Sequence, residues 1–306
     1  MKLLYSLLAC VLSVSACLGQ TITEEWHAGT PTENGSVLRS TLSRPSDISR
    51  KVAIGEGRYD LGSGFALVRG ATDLQGAGRD RTLIVGHGAG HSAFACVVEI
   101  AGPSVTISDM TLQWSGGRGS QAQVVGYGSK SAPNGGTFIL NRCDIEGQMF
   151  SLYSWPGQGN TIIATDCTIR AARFPITAGN SSGANGQFID LYRCHIICDS
   201  SLHDQGRSDK GEKYRTAYCI YARGGTTRCW DCTFEATGDG DMAAVLGIGI
   251  PAEAALGTRV ELVRPTFKLN GNGAGRVAET ESLQPGATIL IDGIDQRAPN
   301  PQQVNE

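Results

Sequence analysis

Ionisable side chains crowd one stretch of this 306-residue sequence. Between Cys198 and Ala217 stand Asp199, His203, Asp204, Arg207, Asp209, Lys210, Glu212, Lys213, Tyr214 and Arg215. Long polar insertions on a rigid scaffold are where function gathers. A little further on, Asp239 and Asp241 sit in the glycine turn Gly238-Asp-Gly-Asp241. Two carboxylates so placed suit calcium, which prefers oxygen donors, although Asp-Gly pairs also serve as plain turn residues. Asp199 or Asp204 together with Asp239 or Asp241 would supply the two carboxylates of a glycoside hydrolase. Cys229 and Cys232 have the spacing of half a zinc site, but no second pair completes it. His87 and His91 lie in a Gly-rich turn and read as incidental.

The elements that must carry these groups are betrayed by a repeat. Residues 105–112 (VTISDMTL), 138–145 (FILNRCDI), 162–169 (IIATDCTI), 189–196 (IDLYRCHI), 227–234 (TRCWDCTF) and 260–267 (VELVRPTF) align without gaps. Mostly apolar residues occupy the first, third, sixth and eighth positions. Alternation with period two marks a strand with one buried face. The doubled step between the third and sixth positions marks a bend after which the buried face resumes. Strand, bend, strand is how one coil of a parallel β-helix turns a corner, and coils must stack to make a core.

Two columns follow from stacking. The sixth position reads Met110, Cys143, Cys167, Cys194, Cys232 and Pro265, in a line about 4.8 Å apart per coil. That spacing exceeds the Cβ separation a disulfide prefers, so the four cysteines read as buried free thiols. Cys198 and Cys219 flank the long insertion and are candidates for a bridge. The fifth position reads Asp109, Arg142, Asp166, Arg193, Asp231 and Arg264, alternating in sign at every copy. At a bend these side chains face outward, as a charge ladder that fixes register or as a track for a charged ligand.

Composition agrees. There are 41 glycines, aromatics make up 7% and charged residues 18%, which suits a turn-rich β architecture rather than a helix bundle or a disordered chain. A net charge of −3 gives no basic footprint for nucleic acid. Residues 1–19 read as an export signal: Lys2, then an apolar run from Leu3 to Val14 too short to span a bilayer. Val14-Ser-Ala-Cys17 resembles a bacterial lipobox, which makes Cys17 a candidate lipid anchor, with simple secretion or periplasmic residence as the alternative. No other apolar stretch approaches the roughly 18 residues of a membrane helix. Residues 20–51 read as an N-terminal arm and cap, 52–295 as the β-helix and 296–306 as a tail.

The repeat resembles that of the pectin-lyase-like superfamily, an all-β, single-stranded right-handed parallel β-helix with an N-terminal cap. The opening of the chain is similar too: a short helix over Ser36 to Ser43, then Val52-Ala-Ile-Gly-Glu-Gly-Arg-Tyr-Asp-Leu61, Ala66-Leu-Val68, Leu74-Gln-Gly-Ala-Gly78 and Thr82-Leu-Ile-Val85. The resemblance implies a third sheet, with strands near 124–127, 151–155, 174–178, 218–223 and 245–250, whose outer face binds acidic polysaccharide. Tyr127, Tyr153, Trp155, Arg173 and Tyr221 are then the expected substrate-binding residues, with Thr177 at another outward position. Aromatic faces stack on sugar rings and Arg clamps carboxylates. Lyases of this fold abstract a proton beside a uronate carboxylate. For that chemistry Lys213, Arg223 and Arg215 are the expected catalytic residues, and Asp239 and Asp241 the expected calcium ligands. Of the motifs carried by the hydrolases of similar fold, only Gly86-His87-Gly88 appears, far too early in the chain. A non-catalytic glycan-binding or structural cell-surface protein is the remaining alternative.

Overall fold

The computed structural model describes residues 23–24, 29–45, 48–87, 95–116, 122–127, 135–155, 159–179, 187–199, 217–238, 243–248, 258–271, 276–279 and 286–296. The strands fall into three sheets of eleven, eight and eight strands. From Arg50–Ala53 to Thr288–Ile291 consecutive strands visit the first, second and third sheet in turn and then start again, each pairing with its counterpart three strands on, while Thr23–Glu24 pairs directly with Arg50–Ala53. Every pairing is parallel except the last, Leu290–Asp295, where Asp292 and Gly293 form a two-residue turn with φ of 49° and 82°. Positive φ at both turn residues is what a tight hairpin of this kind demands, and Asp-Gly supplies it.

The six repeat copies stack in register, position upon position. Their first, third and sixth positions up to Cys232 face one continuous apolar core, with Thr227 the one polar member among the first positions, as do the eighth positions from Leu112 to Phe234. The fifth position supplies the bend: Asp109, Arg142, Asp166, Arg193, Asp231 and Arg264 all have φ between 50° and 58°. Left-handed backbone costs a non-glycine residue about 1–2 kcal/mol, so something must recommend these side chains there. Each Arg makes two parallel hydrogen bonds to the Asp one coil before it. Arg142 reaches Asp109 at 2.6 and 2.7 Å, Arg193 reaches Asp166 at 2.8 and 2.8 Å, and Arg264 reaches Asp231 at 2.7 and 2.7 Å. The ladder is therefore made of couples rather than of acids shared evenly between two bases. The guanidinium hydrogen bonds hold all three carboxyls below the usual range. Their contribution is present above the unfolded carboxylate range and fades as pH falls through the lowered folded values. Exposed pairs add little stability, and register is their better-supported use.

All eight cysteines of the described residues are free and buried. Cys198 and Cys219 are not bridged: the Cys198 thiol donates to the Arg173 carbonyl at 3.4 Å and the Cys219 thiol to the Glu235 carbonyl at 3.3 Å. Burial pushes both thiols up, Cys219 to about 12, which leaves them unreactive. Peptide mapping after alkylation is expected to find all eight unmodified in the native protein and all eight labelled after unfolding. A cross-linked Cys198–Cys219 peptide would contradict this.

The N-terminal end is closed by a helix, Pro31–Ser43, that begins five residues earlier than the sequence suggests. Thr30 and Glu33 form a reciprocal capping box, and Pro31 occupies the first turn. Leu38 and Leu42 are fully buried on the first coil. Arg50, itself buried, ties the helix end to that coil by donating to the Thr41 carbonyl at 2.7 Å and the Arg69 carbonyl at 2.5 Å. Among the described residues no helix is long and apolar enough to cross a membrane.

Candidate functional site

The third sheet carries the candidate site. Its central strands are Ala95–Ile100, Ala122–Tyr127, Phe150–Ser154, Phe174–Ala178 and Ala217–Ala222. Ile220 and Ala222 are fully buried while Tyr221 between them is partly exposed, so strand alternation puts Tyr221 on the outer face. Register then assigns that face to Glu99, Gly126, Tyr153, Thr177 and Tyr221, one per coil. One step beyond the strand ends, Trp155, Gly179 and Arg223 form a second outer column, aligned by the hydrogen bonds of the preceding pairs.

An aromatic strip runs across these coils. Phe174 stacks on Phe150 at 5.7 Å, on Tyr218 at 6.0 Å and on Tyr221 at 4.5 Å, with ring planes within about 21° of parallel. Tyr153 meets Phe150 edge-on at 5.1 Å and Trp155 at 4.8 Å. Two guanidiniums bracket the strip. Arg173 lies over Phe174 at 4.5 Å on the entry side, and Arg223 lies 5.7 Å from the Tyr221 ring on the exit side. Arg223 also hydrogen-bonds the Tyr153 hydroxyl. Trp155 donates its indole N–H to Gln123 Oε1 at 3.3 Å, and the Gln123 side chain lies over Gly126, where a Cβ would stand 2.4 Å from its amide nitrogen.

Burial, offset only in part by Arg223, pushes the Tyr153 hydroxyl up to about 12. At neutral pH it is a phenol, able to donate a proton but not to take one. Chemically the face offers stacking surfaces, two cations and one weak acid. Across the five central strands Glu99 is the one carboxylate of the outer columns, and it is fully buried; register carries the same column on through Gly247 to Glu279. Asp199 is committed elsewhere: it is buried at the corner between the second and third sheets, paired with Arg170 and accepting from Thr237 at 3.4 Å. Its place in a hydrolase pair is thereby filled by structural partners.

Of the expected substrate-binding residues, Tyr153, Trp155, Arg173 and Tyr221 come together on the strip, and Arg223 joins them. Tyr127 does not. It is fully buried, 5.7 Å from the Phe138 ring, in the inward column of Ile100, Ser154, Ala178 and Ala222. The reason is phase: Gly126, not Tyr127, aligns with Tyr153. Phe150, Phe174, Tyr218 and Gln123 were not singled out from the sequence, although the stretch Phe174–Ala178 was read as a strand. Lys213, Arg215, Asp239 and Asp241 lie outside the described residues, as does Cys17. Among the described residues no group of metal-binding side chains is assembled.

No protein-family model and no curated protein matches this sequence. Solved structures do match. They include the pectin methylesterase PemA from Erwinia chrysanthemi, with a TM-score of 0.58 and 11% identity over 86% of this chain and 93% of that one. The carrot pectin methylesterase gives 0.51 and 15% over 89% and 88%. The rice weevil pectin methyl esterase gives 0.56 and 10% over the same shares. The likeness is one of fold, a right-handed parallel β-helix.

Proposed function

We propose that this chain is an exported protein that binds a uronate-containing polysaccharide along the outer face of the third sheet and cleaves it by β-elimination. The observation that carries the reading is the aromatic strip bracketed by Arg173 and Arg223. The partly exposed Tyr221 and Trp155 rings, seated on the buried Phe174 and Tyr153, offer stacking faces for sugars, and guanidiniums pair bidentately with carboxylates. The solved structures of like fold being named pectin methylesterases supports a uronate polymer as ligand.

The geometry refines the roles. Arg223 is held against the Tyr153 phenol, which suits it to neutralise the uronate carboxylate rather than to remove a proton. Lys213 or Arg215 then takes the proton beside that carboxylate. The C–O bond to the leaving sugar breaks, a C=C bond forms, and Tyr153 donates the proton that the leaving oxygen needs. Lys is the better base of the two, because its pKa shifts more readily on burial.

Incubation with polygalacturonate is expected to give the ultraviolet absorbance of an unsaturated uronate. Arg223→Ala should lower the rate by about 10²–10³-fold, the usual loss when one electrostatic donor is removed. Methanol release from esterified pectin without that absorbance would replace elimination by ester hydrolysis. Retention on the polymer with neither product would leave a binding protein. Absence of retention on any uronate polymer would remove the cleft reading altogether.

A further inference from the structure

The coil between Tyr153 and Tyr221 carries Thr177, and the coil between Trp155 and Arg223 carries Gly179. At these two columns a coil with small side chains lies between two coils bearing large ones, while Phe174 at the start of the same strand packs against Tyr221. The result is a notch whose walls stand two strand spacings apart, roughly 9–10 Å. Gly179 is fixed as glycine by its φ of 79° and by the next coil, since a Cβ would stand 3.1 Å from the Gly224 nitrogen. The gap in the side-chain column is therefore built into the backbone.

At the floor of this notch Thr177 is 1% exposed, yet its Oγ1 has no hydrogen-bond partner among the described residues. A buried hydroxyl without a partner lowers stability, and valine would fill the same space without that cost. Packing does not account for the hydroxyl. Arg223 belongs to the coil on one side of Thr177 and bonds to Tyr153 on the other, so its side chain crosses the notch above it. Thr177 and the crossing Arg223 side chain thus share the stretch of face between Tyr153 and Tyr221.

We infer that Thr177 is the specificity-determining donor for the carboxylate of a single uronate residue. This rests on reading the face as an acidic-polysaccharide cleft. As a sugar enters, Arg223 turns from the Tyr153 phenol to the carboxylate, and the uncovered Thr177 hydroxyl donates to the same group. Two donors and one positive charge match a free carboxylate. A methyl ester brings no charge to the guanidinium and adds a methyl group in the notch. The preferred ligand is thus the de-esterified polymer.

Thr177→Val and Thr177→Ser in the full chain test this by calorimetry against polygalacturonate and its fully methyl-esterified form. Thr177→Val should bind polygalacturonate at least about ten-fold more weakly, the size expected of a hydrogen bond to a charged group. It should bind the esterified polymer as before and unfold at the same or a higher temperature. Thr177→Ser should restore the lost affinity. Unchanged affinity of Thr177→Val for polygalacturonate overturns the assignment while leaving the cleft intact, and so does a Thr177→Val that unfolds earlier. A parent protein that binds neither polymer overturns both.

Discussion

Phe174→Ala is expected to lower folding stability by about 3–5 kcal/mol, the usual cost of deleting a buried phenyl ring. The ring is 3% exposed and sits where three coils meet, touching Phe150 on one side and Tyr218 and Tyr221 on the other, with Arg173 above it. Neighbouring coils are linked by backbone hydrogen bonds, so the strip cannot slide to close the gap. Deletion should leave a cavity and free Tyr221 to move, and polymer binding should fall with stability. Urea unfolding followed by tryptophan fluorescence measures the first effect. Phe174→Leu, which keeps most of the volume, should lose far less. A loss below about 1 kcal/mol for the Ala variant would show that the strip is loosely laid on the sheet rather than packed into it.

Gly35→Ala is expected to reverse the ordinary rule for helices. Within an exposed helix the change gains about 0.8–1.0 kcal/mol. Gly35 instead lies in the second turn of the capping helix, where an added Cβ would stand 2.0 Å from the Asp60 carbonyl oxygen and 2.3 Å from its carbon. Both are backbone atoms of a strand paired along its length with residues 82–85, so neither can give way. The helix must lift, carrying Leu38 and Leu42 with it. Net destabilisation of about 1–3 kcal/mol is expected, as for other overpacked sites. It should appear as faster hydrogen exchange in residues 31–43 and along the first coil. Equal or slower exchange would mean that the helix stands off the strand.

The two predictions differ in how much of their basis the sequence displays. The stacked coils were legible because the doubled step in the repeat admits one geometry: a bend with inward residues on both sides, and every fifth position has the backbone that this requires. The sign alternation was legible as well, but its grouping into couples was not, since the choice each Arg makes between two neighbouring acids depends on side-chain direction. The third sheet was harder. In its central coils the strand pairing skips one residue, at Val124, Ser151, Pro175 and Cys219, and no shared residue type marks that break, so Tyr127 and Tyr153, both near strand ends, look equivalent in the sequence although Gly126 holds the aligned position. Burial of Phe150 and Phe174 on an outer face defeats a simple inside–outside reading, because these rings cover one another. The helix start was missed because Asn34 and Gly35 are weak helix formers, although Thr30, Pro31 and Glu33 spell out a beginning. The insertion between Cys198 and Ala217 follows no period at all, and its chemistry was named by residue type alone.

The coupled charges at the bends also constrain how long such a protein can become. Asp109 goes with Arg142, Asp166 with Arg193 and Asp231 with Arg264, so bends two, four and six answer bends one, three and five. Excising the Arg142 bend alone would set Asp109 beside Asp166, and duplicating it would set arginine on arginine. Growth or shrinkage by a single turn therefore places like charges on neighbouring turns, whereas a step of two turns preserves every partnership. Length in this scaffold is counted in even increments, and a designer lengthening the β-helix should add turns in twos.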